Sequence, residues 1–351
     1  MDWTAIAKTS LDVVYHTGLS RATRPLFGGL GAIFMLHHVR PAAGVDGFAP
    51  NRALEVTPEF LDAVISHVRA SGYDLLPLDA AVARIKSGAK PARRFAVFTL
   101  DDGYRNNLTH ALPVFRRHNC PFTIYIAPTI ADGTCELWWQ GLEAAIAGAE
   151  RVDTEIAGLK VSRDCRITAE KCAVFDALYW PLRGMDNLAQ RSWIRAFCTS
   201  HGVDLLAMCR GEAMDWKELR QIAADPLCGI GAHTVNHYAL SRLTPEEVLA
   251  EAVESRNRVE QELGRKVRHF AYPYGDETTA GPREFALLAK AGYSSAVTTR
   301  KGLVFPEHAN HLTALPRVSL NGHFQRLSQT DALLSGGMFA LWNRFRKVNA
   351  G

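Results

Sequence analysis

Short apolar runs alternate with capped amphipathic helices along almost the whole chain, and a chain so patterned builds a mainly parallel sheet wrapped by helices. The first run, residues 32–36, ends at His37-His38. Thr57 then offers an N-cap with Pro58 at the first helical position, and Phe60, Leu61, Val64, Ile65 and Val68 follow at helical spacing. Runs at 72–76, 95–100 and 122–126 read as further strands, with one helix capped by Asp79 and running through Ile85 and another over 108–118. The second half repeats the alternation. Thr244-Pro245-Glu246-Glu247 is a capping box opening a helix that runs to Leu263 and stops at Gly264. Strands are expected at 267–271, 295–298 and 315–318, and a helix at 283–291 ends at Gly292. With 351 residues, 47% of them hydrophobic, the chain can bury one large core. The pattern predicts an irregular α/β barrel of seven or eight strands, with its site on the loops that follow the strand C-termini.

Three stretches at such strand ends carry chemistry. Thr99-Leu100-Asp101-Asp102-Gly103 closes the apolar run 95–98 with two adjacent carboxylates, which shift each other's ionisation and desolvate poorly, so a purely structural turn would more often use one. Gly231-Ala232-His233-Thr234-Val235-Asn236-His237 places two imidazoles four positions apart, on one face if the segment is helical. One carboxylate with two histidines gives a ligand set that leaves metal positions open for water and substrate. Phe270-Ala271-Tyr272-Pro273-Tyr274-Gly275-Asp276 joins a strand end to a turn whose fixed backbone can aim an amide N–H into a cleft.

Taken in order, these stretches resemble the polysaccharide deacetylase family, also called the NodB-homology or carbohydrate esterase 4 family, with motifs that read roughly Thr-Phe-Asp-Asp-Gly, His-Ser/Thr-x-x-His and Arg-x-Pro-Tyr/Trp-Gly. The likeness spans residues 33–320. It implies an irregular (β/α)7-8 barrel of the NodB type that hydrolyses N-acetyl groups on N-acetylglucosamine-containing oligo- or polysaccharide, such as a chitooligosaccharide or exopolysaccharide. It also implies a divalent cation, Zn2+ first with Co2+, Mn2+ or Ni2+ as alternatives, held by Asp102, His233 and His237. By the same likeness Asp101 is the general base and the Tyr274 N–H steadies the oxyanion. The chain departs from the pattern twice. The family's late Leu-x-x-His is missing from 315–320, and a branch of the family acting on poly-N-acetylglucosamine, with a Tyr-His-x-Val-like motif at its first strand, points to His37 as the acid, with His38 or His323 in reserve. Ala271 stands where the family has an arginine that orients the catalytic aspartate, a task for which Arg317, or less readily Arg268, is available.

A net charge of +4, from 40 basic and 36 acidic side chains, implies no general affinity for nucleic acid. Seven cysteines without a CxxC pair suit free thiols in a reducing compartment, and Met1-Asp2-Trp3-Thr4 does not begin a cleaved signal peptide. Cytoplasmic residence follows as the expectation, with contact at the inner membrane face through residues 339–347, which mix aromatic and basic side chains in a short helical stretch. Residues 1–30 read as an N-terminal helical segment, 31–320 as the barrel and 321–351 as a helical tail. An insertion at 132–225 reads as helical and carries five of the seven tryptophans, of which Trp138 and Trp139 are best placed to line a cleft. Two other functions stay open: a carbohydrate-binding barrel with little or no turnover, for which the missing arginine and displaced acid argue, and an amidohydrolase of a small non-sugar amide.

Overall fold

The structure, a computed structural model, describes residues 3–42, 47–88 and 92–350. Seven parallel strands form a closed barrel: β1 (Gly31–Leu36), β2 (Phe95–Leu100), β3 (Phe122–Ile126), β4 (Cys228–Ala232), β5 (His269–Ala271), β6 (Ser295–Lys301) and β7 (Leu315–Ser319). Their order is β1-β7-β6-β5-β4-β3-β2, and β2 returns to pair with β1 in continuous register from Gly31↔Phe95 to Leu36↔Leu100. A two-residue strand, Asp74–Leu75, adds to the start of β2.

Every residue of β1 and β2 is buried, because a parallel strand in this setting is covered on both faces. Alternate side chains divide between two cores. Ile33, Val97, Tyr125, Val297 and Leu315 fill the barrel interior, while Phe34, Phe98, Phe122, Ile230 and Phe270 point outward against the helices. Phe34 stacks on Phe98 at 4.8 Å, and Phe115 of the helix Leu112–Arg117 stacks on Phe122 at 4.4 Å.

Capping places the helices where the sequence predicts them. Thr57 accepts from the Phe60 N–H at the start of Pro58–Ala70, whose residues Phe60, Leu61, Val64, Ile65 and Val68 are all buried. The Thr244/Glu247 box opens Pro245–Leu263, and Gly264 ends it at φ +64°. Asp79 does not cap a helix. Leu78–Lys86 follows Pro77, so Asp79 is the second residue of its first turn and its carboxylate instead meets His269 Nε2 at 3.1 Å. The helix expected over 108–118 opens with a wide turn at Asn107–Ala111, where Pro113 has no N–H to give to the Thr109 carbonyl.

The insertion is not wholly helical. Its helices Trp138–Gly148, Thr168–Gly184, Asn187–Ser200, Leu205–Glu212 and Trp216–Ala223 are joined by an antiparallel hairpin, Arg151–Ile156 with Leu159–Asp164. The hairpin follows from period-two burial of Val152 and Ile156 and from Ala157 and Gly158, both at positive φ, which make the tight turn two paired strands require. Trp138, Leu142, Val174, Leu178, Ile194 and Phe197 give the insertion a core of its own. None of the seven cysteines is bridged.

Candidate active site

Thr99, at the end of β2, donates its hydroxyl to the Phe34 carbonyl at 2.7 Å, which ties the strand to β1 before the chain turns. Asp101 follows on the interior side and is 2% exposed. Its two oxygens accept from the two terminal nitrogens of Arg317 at 2.8 and 2.7 Å, and the Arg317 Nε donates to the Thr298 carbonyl at 2.8 Å. Arg317 thus reaches Asp101 from β7, two strands away from β2 around the ring. Burial is the largest single influence and would raise the Asp101 carboxyl, but the Arg317 charge and hydrogen bonds, joined by His233 and His37, together leave it below its ordinary range. Arg268 is far less buried and faces Asp79 at 3.8 Å, so it takes no part here.

Asp102 leaves the strand at φ +71°, and Gly103 follows at +72°. Thr234, His237 and Tyr274 are also left-handed, at +59°, +56° and +63°. Each costs on the order of 1–3 kcal/mol in a residue with a side chain and persists only where its surroundings hold it. That concentration marks the rim formed by the ends of β2, β4 and β5 as a place where geometry is imposed against local preference.

The imposed geometry brings Asp102 Oδ1 to 3.3 Å from His233 Nε2 and 3.2 Å from His237 Nε2. The segment between the histidines is a turn, not the helix that their spacing suggests. The buried Glu251 carboxylate accepts from the Val235 and Asn236 N–H groups at 2.7 and 3.0 Å and from the Asn236 side-chain amide at 2.6 Å, which draws these donors away from any helical ladder. From the insertion, Arg191 donates to the Asn236 carbonyl at 3.1 Å, and Asn187 exchanges hydrogen bonds with the Ala239 N–H and carbonyl at 3.0 and 3.2 Å.

Whether these residues suit a cation is settled by their hydrogen bonds. His233 Nδ1 lies 2.7 Å from the Ala271 carbonyl, a contact that requires the proton on Nδ1 and leaves the Nε2 lone pair facing Asp102. Asp102 Oδ1 is buried and has no hydrogen-bond partner among the described residues. A lone pair confronting an unpartnered carboxylate oxygen is unfavourable unless something positive lies between them. The donor set of one carboxylate and two imidazoles fits a divalent cation of the zinc type, and the three ligand atoms lie within 4.8 Å of one another. Burial would push the Asp102 carboxyl up, but the imidazoles, His237 foremost, hold it well below the usual range.

A cleft of about 660 Å³ opens over this rim, walled by Trp138, Trp139, Tyr179 and Trp180 of the insertion and by His37 and Tyr274 of the barrel. His37 Nε2 stands 3.9 Å from Asp101 Oδ2, and its side chain is 18% exposed. Burial lowers its pKa while the two aspartates pull it up. His38 turns the other way: its Nδ1 meets the Asn106 amide at 2.8 Å and its ring stacks on Tyr104 at 3.6 Å, outside the cleft. His323 borders the cleft at its exposed edge. The Tyr274 phenol accepts from Trp138 Nε1 at 2.8 Å beneath the Arg183 guanidinium, 4.1 Å from the ring, while its backbone N–H reaches no carbonyl among the described residues.

Sequence reasoning missed Glu251, Arg191, Asn187 and Arg183. Asn187 and Arg191 sit four apart as buried polar residues on an otherwise apolar helix face, a signal that was available; Glu251 lies among other acidic residues and gave none.

A closed parallel (β/α)7 barrel with a carboxylate and an Asp/His/His cluster at its C-terminal rim is the frame of a barrel hydrolase. Residues 185–295, which include His233, His237 and the turn at Tyr274, match the family described as polysaccharide deacetylase. Bacillus subtilis YxkH, provisionally named a polysaccharide deacetylase, is 20% identical over 269 residues, 76% of this chain and 67% of that protein. The deacetylase PplD of Streptococcus pyogenes, solved with acetate, superimposes with a TM-score of 0.55 at 15% identity, covering 87% of this chain and 97% of its own. IcaB of Ammonifex degensii gives 0.53 at 17% identity, covering 88% and 98%. At these identities the structural likenesses establish the fold. The matched segment and the curated relative make the chain similar to polysaccharide deacetylases, which are hydrolases of carbon–nitrogen bonds.

Proposed function

We propose that this protein removes N-acetyl groups from N-acetylglucosamine units of an oligo- or polysaccharide, of the chitooligosaccharide or exopolysaccharide kind, with a divalent cation, most readily Zn2+, held by Asp102, His233 and His237. The observation that carries the reading is the convergence of three ligand atoms beside an aspartate that is not among them and is clamped by Arg317. A cation bound there would supply Lewis acidity and bring the pKa of water down towards neutrality. Asp101, kept ionised by Arg317, takes the proton of the attacking water. The unpartnered Tyr274 N–H points to an oxyanion donor, a contribution of about 3–4 kcal/mol in comparable sites. His37, at the cleft wall and beside Asp101, gives the departing amine its proton. His38 is fully engaged in packing and hydrogen bonding and is a poor candidate for that step.

The aromatic walls suit the apolar faces of sugar rings. The binding-only reading drew its argument from a missing arginine and a displaced acid; the Arg317–Asp101 contact weighs against the first and the place of His37 beside Asp101 against the second. The test is acetate release from chitooligosaccharides by the purified protein. Release should fall at least about a hundredfold on chelation and recover with added zinc, and Asp101→Asn should abolish it while leaving metal content unchanged. Metal-loaded protein that frees no acetate from any N-acetylated glycan would overturn the reading.

A further inference from the structure

Of fourteen large apolar side chains exposed among the described residues, eight fall within residues 6–26 and 341–345, the two ends of the chain. These ends meet. The helix Leu19–Phe27 packs against the helix Gly337–Trp342, the Phe27 and Phe345 rings lie 6.2 Å apart, and Leu26 and Lys347 border one groove. In the tail helix Phe339 and Ala340 turn inward and are buried, leaving Leu341 and Trp342 62% and 58% exposed. On Leu19–Phe27 the two exposed leucines, Leu19 and Leu26, are seven residues apart and share a face. An apolar surface concentrated in this way marks a contact site.

Charge says what the contact is. Most carboxylates nearby are already matched, Asp331 with Arg24 at 2.6 Å, Asp12 with Arg326 at 3.2 Å and Glu307 with Lys347 at 3.0 Å; Glu277, in one groove with Trp342, Arg344 and Arg346, accepts among the described residues only from the Asn349 amide at 3.4 Å and offsets one charge there. Arg21, Arg344 and Arg346 have no ion pair among the described residues, and the Lys301 ammonium sits 3.4 Å over the Trp342 ring. The face therefore combines exposed hydrocarbon with uncompensated positive charge. A second copy would bring the same sign and repel it, whereas anionic headgroups complement it. No helix among the described residues is long and apolar enough to cross a membrane, so the segment would lie along the surface.

We propose that the paired chain ends dock on a membrane surface bearing anionic lipid, with Leu26, Leu341 and Phe345 entering the headgroup layer and Arg21, Arg344 and Arg346 meeting the lipid charge. The proposal stands apart from the deacetylase reading and is tested without reference to turnover. The full chain is sedimented with vesicles of phosphatidylcholine alone and of an equal mixture with phosphatidylglycerol. It should pellet with the mixture and stay in the supernatant with the neutral lipid. Leu341→Ser/Phe345→Ser and Arg344→Gln/Arg346→Gln should each weaken binding at least about tenfold, with near-ultraviolet circular dichroism unchanged. A protein that pellets with neither vesicle, or pellets equally in all variants, overturns the proposal. So does sedimentation equilibrium that shows a dimer split by Phe345→Ser, which would assign the face to a second copy.

Discussion

At the scale of single residues, the pair Asp101–Arg317 sets the reactivity of the site. Both side chains are buried and bonded at two points, so removing one leaves the other charged and unpaired, at a cost of about 3–5 kcal/mol. Arg317→Ala should therefore lower the denaturation midpoint steeply. Asp101→Leu with Arg317→Met should restore most of that stability and none of the activity, and urea titrations of the parent protein and both variants check the ordering. A second residue bears on pH. Burial pushes His308 down from its ordinary 6.5 to about 4, and its Nδ1 accepts from the Phe305 N–H, which favours the neutral ring. Between those two values the unfolded chain binds the proton and the folded one resists it. Its contribution is accordingly complete above pH 6.5 and is lost progressively as the pH falls to about 4, by roughly 3–4 kcal/mol at about 1.4 kcal/mol per unit. Unfolding free energies at pH 7.5 and pH 5 should differ by less in His308→Gln than in the parent protein.

At the scale of elements, the turn between His233 and His237 depends on residues remote in sequence. Glu251, on the helix Pro245–Leu263, supplies three of the bonds that hold it. Glu251→Ala should weaken zinc binding by about ten- to a hundredfold while the barrel stays folded, with Glu251→Gln in between. Calorimetric titration of zinc and the visible spectrum of the cobalt form would register the change, and unaltered affinity would deny Glu251 this role. The same turn shows where the sequence could and could not be read. Helix starts at Thr57 and Thr244 and the stop at Gly264 are local chemistry and were legible. The spacing of His233 and His237 singled out the pair that meets Asp102 and misdescribed its backbone, because the bonds that override helical pitch come from Glu251 and Arg191. The hairpin at 151–164 was hidden for a different reason: its short alternation is flanked by strongly helical segments that dominate any longer window.

At the scale of the whole molecule, the alternation of strand and helix foretold a barrel and left its strand number open between seven and eight. That count depends on β1 and β2 meeting edge to edge, a contact that closes the ring between segments more than sixty positions apart, as in Ile33 with Val97. Asp101, Asp102 and the two imidazoles were singled out by the paired carboxylates, the histidine spacing and their places at strand ends, and in such a barrel those ends converge. Arg317 was named as one of two candidates, and only the closed ring shows that it, and not Arg268, reaches across.

The insertion has a double attachment: Trp138 and Trp180 wall the cleft, while Asn187 and Arg191 clasp the turn that bears His237. Anyone transplanting this lid into a sister barrel would be moving a support of the Asp/His/His cluster along with the awning. Chimaeras that keep the tryptophans but omit the two clasps should inherit the grip on sugar without the power to cut.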